Sequence, residues 1–476
     1  MELRFNPNEK ESVVNFAKKL KGKTLRNSCE SDVINHLYSG KGNFGQVLEK
    51  YYFGYEPNSV ADPDFPQIGM ELKSSPLKEV KLEVFRAKER LVLNIISYLN
   101  VVNQKFETSD FYKKNSNILL VFYLYEPGLD ILDFTIKLVD EWRFTDTDLE
   151  IIKKDWEIIN KKIIDGKAHE LSEGDTFYLG ACTKGGKGGN LRIQPNSNIP
   201  AKQRAYSLKQ GYVNHIIASI AKEPTGVYGK LIQSVVIAKN QSIEEVVISK
   251  FKEYYGKTIE QIIALTGVEL NTKSKSFYAS LTKAILGIEL NKEIEEFEKA
   301  NIEVKTIRIE LNSSIEQSIS FPAFEFTKIY SEKWSTSEFK DLIERKFLFV
   351  FLKNNGTSYF LEKVKFWNMP LVDRNEARKV WLKTKYQIQN GVIFKDYERD
   401  NQEGIRYSKK GNPIRLNYFP KSSENKVCHV RPHGSDSTET FPLPIKDKKL
   451  NVTDYSKQCF WINKTYVRDE IYLKQQ

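Results

Sequence analysis

Cysteine is scarce in this chain: 476 residues hold only four, Cys29, Cys182, Cys428 and Cys459, far apart and with no CxxC pair. That spacing offers neither a disulfide framework nor a structural zinc site, and it fits a reducing compartment. Long apolar runs are missing too. The longest, Ile118 to Tyr125 (ILLVFYLY), is far short of the ~20 residues that cross a bilayer, and the opening MELRFNPNEKES has no apolar signal core. A soluble, cytoplasmic protein without a membrane partner is expected. Histidine is equally sparse, and His36, His169 and His215 show no ligand spacing, so structural roles are expected for them. GKT occurs twice, but a phosphate-binding loop needs an earlier glycine, and positions 17 and 251 hold Ala17 and Phe251. ATP dependence is rejected.

Charge and apolar residues are both plentiful. The chain has 73 Lys+Arg against 62 Asp+Glu, a formal net charge of +11, with 40% hydrophobic and 12% aromatic residues. Its length is roughly three times the ~150 residues of an ordinary domain, with enough apolar content for two or three cores, which excludes wholesale disorder. The basic balance favours a polyanionic partner, of which nucleic acid is the commonest.

A duplication organises the chain. KGKTL (Lys21 to Leu25) recurs as YGKTI (Tyr255 to Ile259), FPQIGMELK (Phe65 to Lys73) as FEKANIEVK (Phe297 to Lys305), and FETSDF (Phe106 to Phe111) as WSTSEF (Trp334 to Phe339). Trp156 and Gly166 then match Trp381 and Gly391, RIQP (Arg192 to Pro195) matches VRP (Val430 to Pro432), and GYV (Gly211 to Val213) matches TYV (Thr465 to Val467). The order is preserved and the shift stays between 225 and 254 residues, as expected of one ancestral domain copied in tandem. The copies are expected to span 1–232 and 233–476.

Within the first copy, Val13, Phe16, Ala17 and Leu20 repeat at the helical period. GNFGQVLEKYYFG is a second predicted helix, stopped at Gly54. Pro63 and Pro66 break any helix there, Ile68 to Lys73 is a predicted strand, and NILLVFYLYE is a buried one. AKERLVLNIISYLNVV fits helix or strand. The mixture is α/β or α+β.

The chemistry concentrates in Asp64-Phe-Pro-Gln-Ile-Gly-Met-Glu71-Leu-Lys73. On a strand, Glu71 and Lys73 project from one face while Leu72 packs behind. Asp64, across the Pro66 and Gly69 bend, can return its carboxylate to the same place. Two carboxylates and a lysine are what Mg²⁺-dependent phosphodiester hydrolysis requires: the ion takes one or two carboxylates plus waters and phosphate oxygens, and an amine beside it orients or deprotonates water. A solvated ion pair on an exposed strand is the commoner origin of such a pattern. Here Ser74-Ser75-Pro76 follows, and the upstream helix offers a third acid, Glu49.

Together, KGNFGQVLE (Lys41 to Glu49), DFPQIGMELKSSP (Asp64 to Pro76), FETSDFYKK (Phe106 to Lys114), the DWE segment from Asp155 and SLKQGYV (Ser207 to Val213) resemble the successive motifs of the MutH and Sau-type GATC-cutting endonucleases. Some members of that group also carry a second, catalytically degenerate domain. The resemblance implies a restriction-endonuclease-like, PD-(D/E)xK core in two diverged copies. It further implies a type II enzyme that cuts double-stranded DNA at 5′-GATC with Mg²⁺, before the G, leaving four-base 5′ overhangs. On the matching positions, Asp64 and Glu71 would hold the metal, Lys73 would position water, Glu49 would order the metal shell, and Lys114 would serve the phosphate. Lys41 would contact DNA, and Gln194, Asn196, Lys209 and Tyr212 fall in the family's base-reading region, with Gln194 standing where the mismatch-repair relative has an arginine. A GATC methyltransferase is the implied functional partner.

In the second copy the matching positions are Glu296, Glu303 and Lys305, but that of Glu49 is Thr282 and that of Lys114 is Leu342. A DNA-binding effector is therefore expected, with Arg431 and Lys464 in its groove-reading face. GATC is a palindrome and the chain has one complete centre, so a free monomer that pairs on DNA is expected. Two rival readings are a mismatch-repair nickase, which the duplication disfavours, and a non-catalytic DNA-binding regulator, which Asp64, Glu71 and Lys73 disfavour.

Overall fold

The computed structural model describes residues 4–29, 44–57, 62–184, 190–408, 411–433 and 438–474. Among them no helix is long and apolar enough to cross a membrane. The fold is mixed α/β, and the chain divides into two compact units: Met1–Lys250 with Leu270–Glu303, and Phe251–Glu269 with Val304–Gln476. Compactness thus groups the chain differently from the expected copies, because Leu270–Glu303 packs within the first unit.

The first unit opens with helix α1 (Lys10–Lys18), whose Val13, Phe16 and Ala17 are buried. A four-stranded sheet has the order β2-β1-β4-β5, from β1 (Glu71–Lys81), β2 (Val84–Ala87), β4 (Ile118–Leu124) and β5 (Ile136–Trp142). β1 and β4 run parallel, with Glu71 opposite Ile118 and Lys73 opposite Leu120. Alternation sorts the side chains: Met70 and Leu72 join α1, Leu119 and Val121 in one core, so Glu71 and Lys73 face the other way. A second sheet sets β9 (Arg204–Leu208) between β3 (Leu91–Ile95) and β6 (Leu179–Thr183), and β7 (Leu191–Gln194) with β8 (Ser197–Lys202) forms a separate hairpin. The ambiguous segment is therefore a strand, β3, followed by the short helix Tyr98–Val101.

Helices α2 (Asp110–Asn115), α3 (Asp146–Ile164) and α4 (Gln210–Ile220) surround these sheets. Helix α5 (Glu295–Ala300) then packs on α4 so closely that a Cβ at Gly211 would lie 1.9 Å from the Glu298 carbonyl oxygen, which only glycine permits. Buried charge fastens it: Lys299 Nζ lies 3.0 Å from both carboxylate oxygens of Asp148 on α3 and 2.7 Å from Glu295. Removing one member of such a set strands the rest in a dry interior.

The second unit has a three-stranded sheet ordered β10-β11-β12, from Glu303–Ile309, Phe347–Asn354 and Tyr359–Trp367, then β13 (Cys428–Pro432) and β14 (Gln458–Ile462). Its helices include α6 (Glu338–Ile343) and α7 (Leu371–Asn390). Several contacts repeat those of the first unit residue for residue. Gly22 N–H donates to Ile136 O at 2.8 Å, and Gly256 N–H to Leu361 O at 2.8 Å. Thr24 and Thr258 cap the helices that follow, and Ser109 and Ser337 cap α2 and α6. Trp156 packs on Phe106 with ring centroids 5.8 Å apart, and Trp381 on Trp334 at 5.5 Å. Tyr212 donates to Asp148 at 2.9 Å, and Tyr466 to Asp373 at 2.9 Å.

Candidate active site

The site forms where β1 begins. The predicted strand from Ile68 starts three residues later, at Glu71, because Pro66–Ile68 makes a 3₁₀ turn and Gly69 takes φ +59°, a left-handed backbone that suits glycine. Phe65 and Met70 pair across this turn, at 2.9 Å and 3.2 Å, and close it into a tight loop. Asp64 is thereby returned to the strand. Its N–H donates to Glu71 Oε2 at 3.2 Å, and Leu72 N–H donates to Asp64 Oδ2 at 2.9 Å.

Glu71 is only 1% exposed. Lys73 Nζ donates to Glu71 Oε1 at 2.5 Å, and Lys114 on α2 approaches the same oxygen at 3.7 Å while donating to Asp62 O at 3.2 Å. Glu49, which feels the charges of Asp64, Lys73, Glu71 and Lys114, lies on a π-helical turn, Leu48–Phe53, that continues the helical turn Phe44–Val47 and stops at Gly54 with φ +81°. Such turns recur at functional sites because they re-aim a side chain. Burial lifts the Glu71 carboxyl to about 7; Lys73 and Lys114 oppose that rise and Asp64 adds to it. Burial also lifts Glu49 to about 7, with the Asp64 and Glu71 charges adding and Lys73 opposing. All five residues expected at the centre are thus brought together.

Among the described residues no three His, Cys, Asp or Glu side chains gather closely enough to cage an ion alone. Mg²⁺ does not need such a cage, since it keeps waters and takes phosphate oxygens beside one or two carboxylates. The donor set suits it. Buried carboxylates beside one another hold protons up to about 7, a condition that a divalent cation relieves, and the Tyr55 hydroxyl oxygen beside them is buried without a hydrogen-bond partner. Tyr55 escaped the sequence reading. Its only signal there was its place one residue beyond the helix-stopping Gly54.

The expected DNA contacts divide. Lys41 lies outside the described residues. Gln194 is 3% exposed with its amide engaged inside the protein: Oε1 accepts from Ala168 N–H at 2.7 Å, and Nε2 meets His169 Nδ1 at 3.0 Å and Ile199 O at 2.5 Å. Lys209 and Tyr212 are also turned inward, Lys209 to the Thr176 carbonyl at 2.5 Å and Tyr212 to Asp148. All three side chains are buried. Asn196 is exposed at the β7–β8 turn, with φ +54° and its amide on Ile164 O at 2.9 Å. The outward face there belongs to Arg192, Ile193, Asn198 and Ile199, which the sequence reading passed over. In the second unit Arg431 and Lys464 are exposed, and the Arg431 guanidinium lies 3.7 Å from the centroid of Trp461.

The family model of the DNA mismatch repair enzyme MutH matches residues 53–155, which include Asp64, Glu71, Lys73 and Lys114. The MutH of Buchnera aphidicola is 30% identical over 32% of this chain and 70% of its own, and that of Shewanella woodyi 22% identical over 45% and 93%. The type II restriction enzyme Sau3AI of Staphylococcus aureus is 35% identical over 97% of this chain and 98% of its own. With a relationship that runs from end to end and a nuclease domain in its first half, the chain belongs to the family of type II restriction endonucleases that includes Sau3AI.

Proposed function

We propose that this type II restriction endonuclease hydrolyses double-stranded DNA at 5′-GATC, using Mg²⁺ held by Asp64 and Glu71. The observation that carries the reading is the buried Glu71 carboxylate, which joins Asp64, Lys73 and Lys114 at one point. When bound, the ion neutralises phosphate charge and acidifies a coordinated water. Lys73 orients the attacking water, and Lys114 lends positive charge to the phosphate. Glu49 accepts hydrogen bonds from waters at the centre. The water oxygen bonds to phosphorus as its proton passes to solvent, one backbone P–O bond breaks, and the leaving oxygen takes a proton from solvent water.

The restriction-endonuclease-like PD-(D/E)xK core and its tandem copy belong to the same proposal, with copies at 1–232 and 233–476. Six matched motifs in one order and the repeated Gly–carbonyl, Trp–aromatic and Tyr–Asp contacts support the duplication. The second copy acts as a DNA-binding effector. Thr282 and Leu342 are buried, and Glu296 directs its carboxylate at the backbone N–H groups of Leu231 and Ile232, at 2.8–3.0 Å. Asn196 on the first copy and Arg431 and Lys464 on the second are the DNA contacts proposed, in a protein that is monomeric when free and dimeric on DNA. A GATC methyltransferase protects the host, and both act in the cytoplasm. Digestion of linear DNA with and without GATC, unmodified and methylated on adenine or cytosine, tests this: cutting confined to unprotected GATC is expected. Cutting of one strand only would favour the nickase, and no cutting the regulator.

A further inference from the structure

Among the described residues Tyr55 combines three properties: its hydroxyl oxygen is buried, it has no hydrogen-bond partner, and its ring lies beside the acidic cluster. Buried hydroxyls ordinarily find partners, so one without any marks either a defect or a place where something else binds. Both sides of the site fix its position. The Tyr55 N–H donates to the Glu49 carbonyl at 3.2 Å, which ties it to the turn carrying that acid. Its ring stands edge-on to Phe65, the neighbour of Asp64, with centroids 5.8 Å apart, and tilted against Phe53 at 6.5 Å. These aromatic contacts leave the ring little freedom to swing away.

The surroundings say what the missing partner must be. Burial drives the phenol far above its ordinary range, and the charges of Asp64, Glu49 and Glu71 push the same way, so it remains a protonated donor. All three neighbours are acceptors, yet it bonds to none of them. An intervening oxygen satisfies donor and acceptors together, and the hydration shell of a cation supplies ordered oxygens at such a place.

We infer that Tyr55 is a positioning residue of the nuclease centre, its hydroxyl donating to a water in the shell of the divalent cation on the side of Glu49. This rests on the metal reading proposed above. Groups that orient the shell of a bound metal typically change affinity or activity by about 10–100-fold when removed. Tyr55→Phe removes one oxygen and keeps the ring packing. A role in packing alone predicts a variant at least as stable as the parent, because an unsatisfied hydroxyl has gone, with unaltered ion binding.

Ca²⁺, which occupies such centres without supporting turnover, is titrated calorimetrically into the full chain bound to a GATC duplex. Thermal unfolding without metal and Mg²⁺-dependent cleavage are measured on the same samples. The inference expects Tyr55→Phe to bind Ca²⁺ about 10-fold more weakly, to lose kcat with KM for DNA unchanged, and to melt no lower than the parent without metal. Unaltered Ca²⁺ affinity and kcat in a normally folded Tyr55→Phe overturn the inference and leave the metal reading standing. A parent chain that binds no Ca²⁺ overturns the metal reading, and the inference with it.

Discussion

The Asp64 backbone N–H donates to the Glu71 carboxylate at 3.2 Å, so the two acids proposed to share a cation are held side by side by the protein's own main chain. Their proximity is stored in the loop that Gly69 turns, and burial, with the Asp64 charge adding to it, raises the Glu71 and Glu49 carboxyls to about 7.

A pH dependence follows from those two groups. Both are raised from 4.5 to about 7 on folding, so the metal-free protein binds more protons than its unfolded chain in that interval. Their contribution to stability is complete below pH ~4.5 and is lost as pH rises through ~7. Cation binding needs the deprotonated forms and moves the other way. Ca²⁺ affinity is expected to rise from pH 6 to pH 8 with proton release on binding, measured by calorimetry in buffers of different ionisation enthalpy. An affinity that ignores pH would falsify the assignment.

Lys73→Ala is expected to lower cleavage by about 10²–10⁴-fold while DNA binding in Ca²⁺ persists, seen by gel shift beside a cleavage assay. Lys114→Ala should cost less, since its amine stands 3.7 Å from Glu71 against 2.5 Å for Lys73. Full activity in Lys73→Ala would show that the wrong amine has been chosen.

Gln194 separates architecture from recognition. Its amide engages Ala168, His169 and Ile199 out of solvent, so Gln194→Ala should cost about 1–3 kcal/mol of stability by denaturant melts. Asn196→Ala should leave the melt unchanged and weaken binding to GATC duplexes. The opposite pattern would return base reading to Gln194.

On the proposed reading, in which the effector copy engages DNA before two catalytic copies pair, a plasmid with two GATC sites should be cut faster per site than one with a single site. Arg431→Ala should erase that advantage without altering folding, since its guanidinium rests on the exposed side of Trp461. Equal rates on both plasmids in the parent chain would remove the effector role.

Much of the site was legible in sequence, for physical reasons that differ by residue. Glu71 and Lys73 were read together because strand alternation is local, and the Gly69 bend correctly announced that Asp64 would come back to them. Burial was not legible. Nothing local shows that Gln194, Lys209 and Tyr212 end in the interior, because their partners at Ala168, Thr176 and Asp148 lie 26, 33 and 64 residues away. Tyr55 was missed for the same reason, since an orphan hydroxyl is a property of surroundings. Leu270–Glu303 joined the first unit through Gly211 and the Lys299 ion pairs, contacts between segments that no periodicity connects.

The hydrogen bonds that Glu296 accepts from Leu231 and Ile232 have a consequence for how the second half can evolve. An acid restored at Thr282 would leave the Glu296 carboxylate still bound to the main chain, and freeing it would unfasten the segment it secures. If the second half is the degenerate copy proposed above, recovery of a working nuclease there demands refolding of that corner as well as new side chains, which would make the loss of catalysis a ratchet.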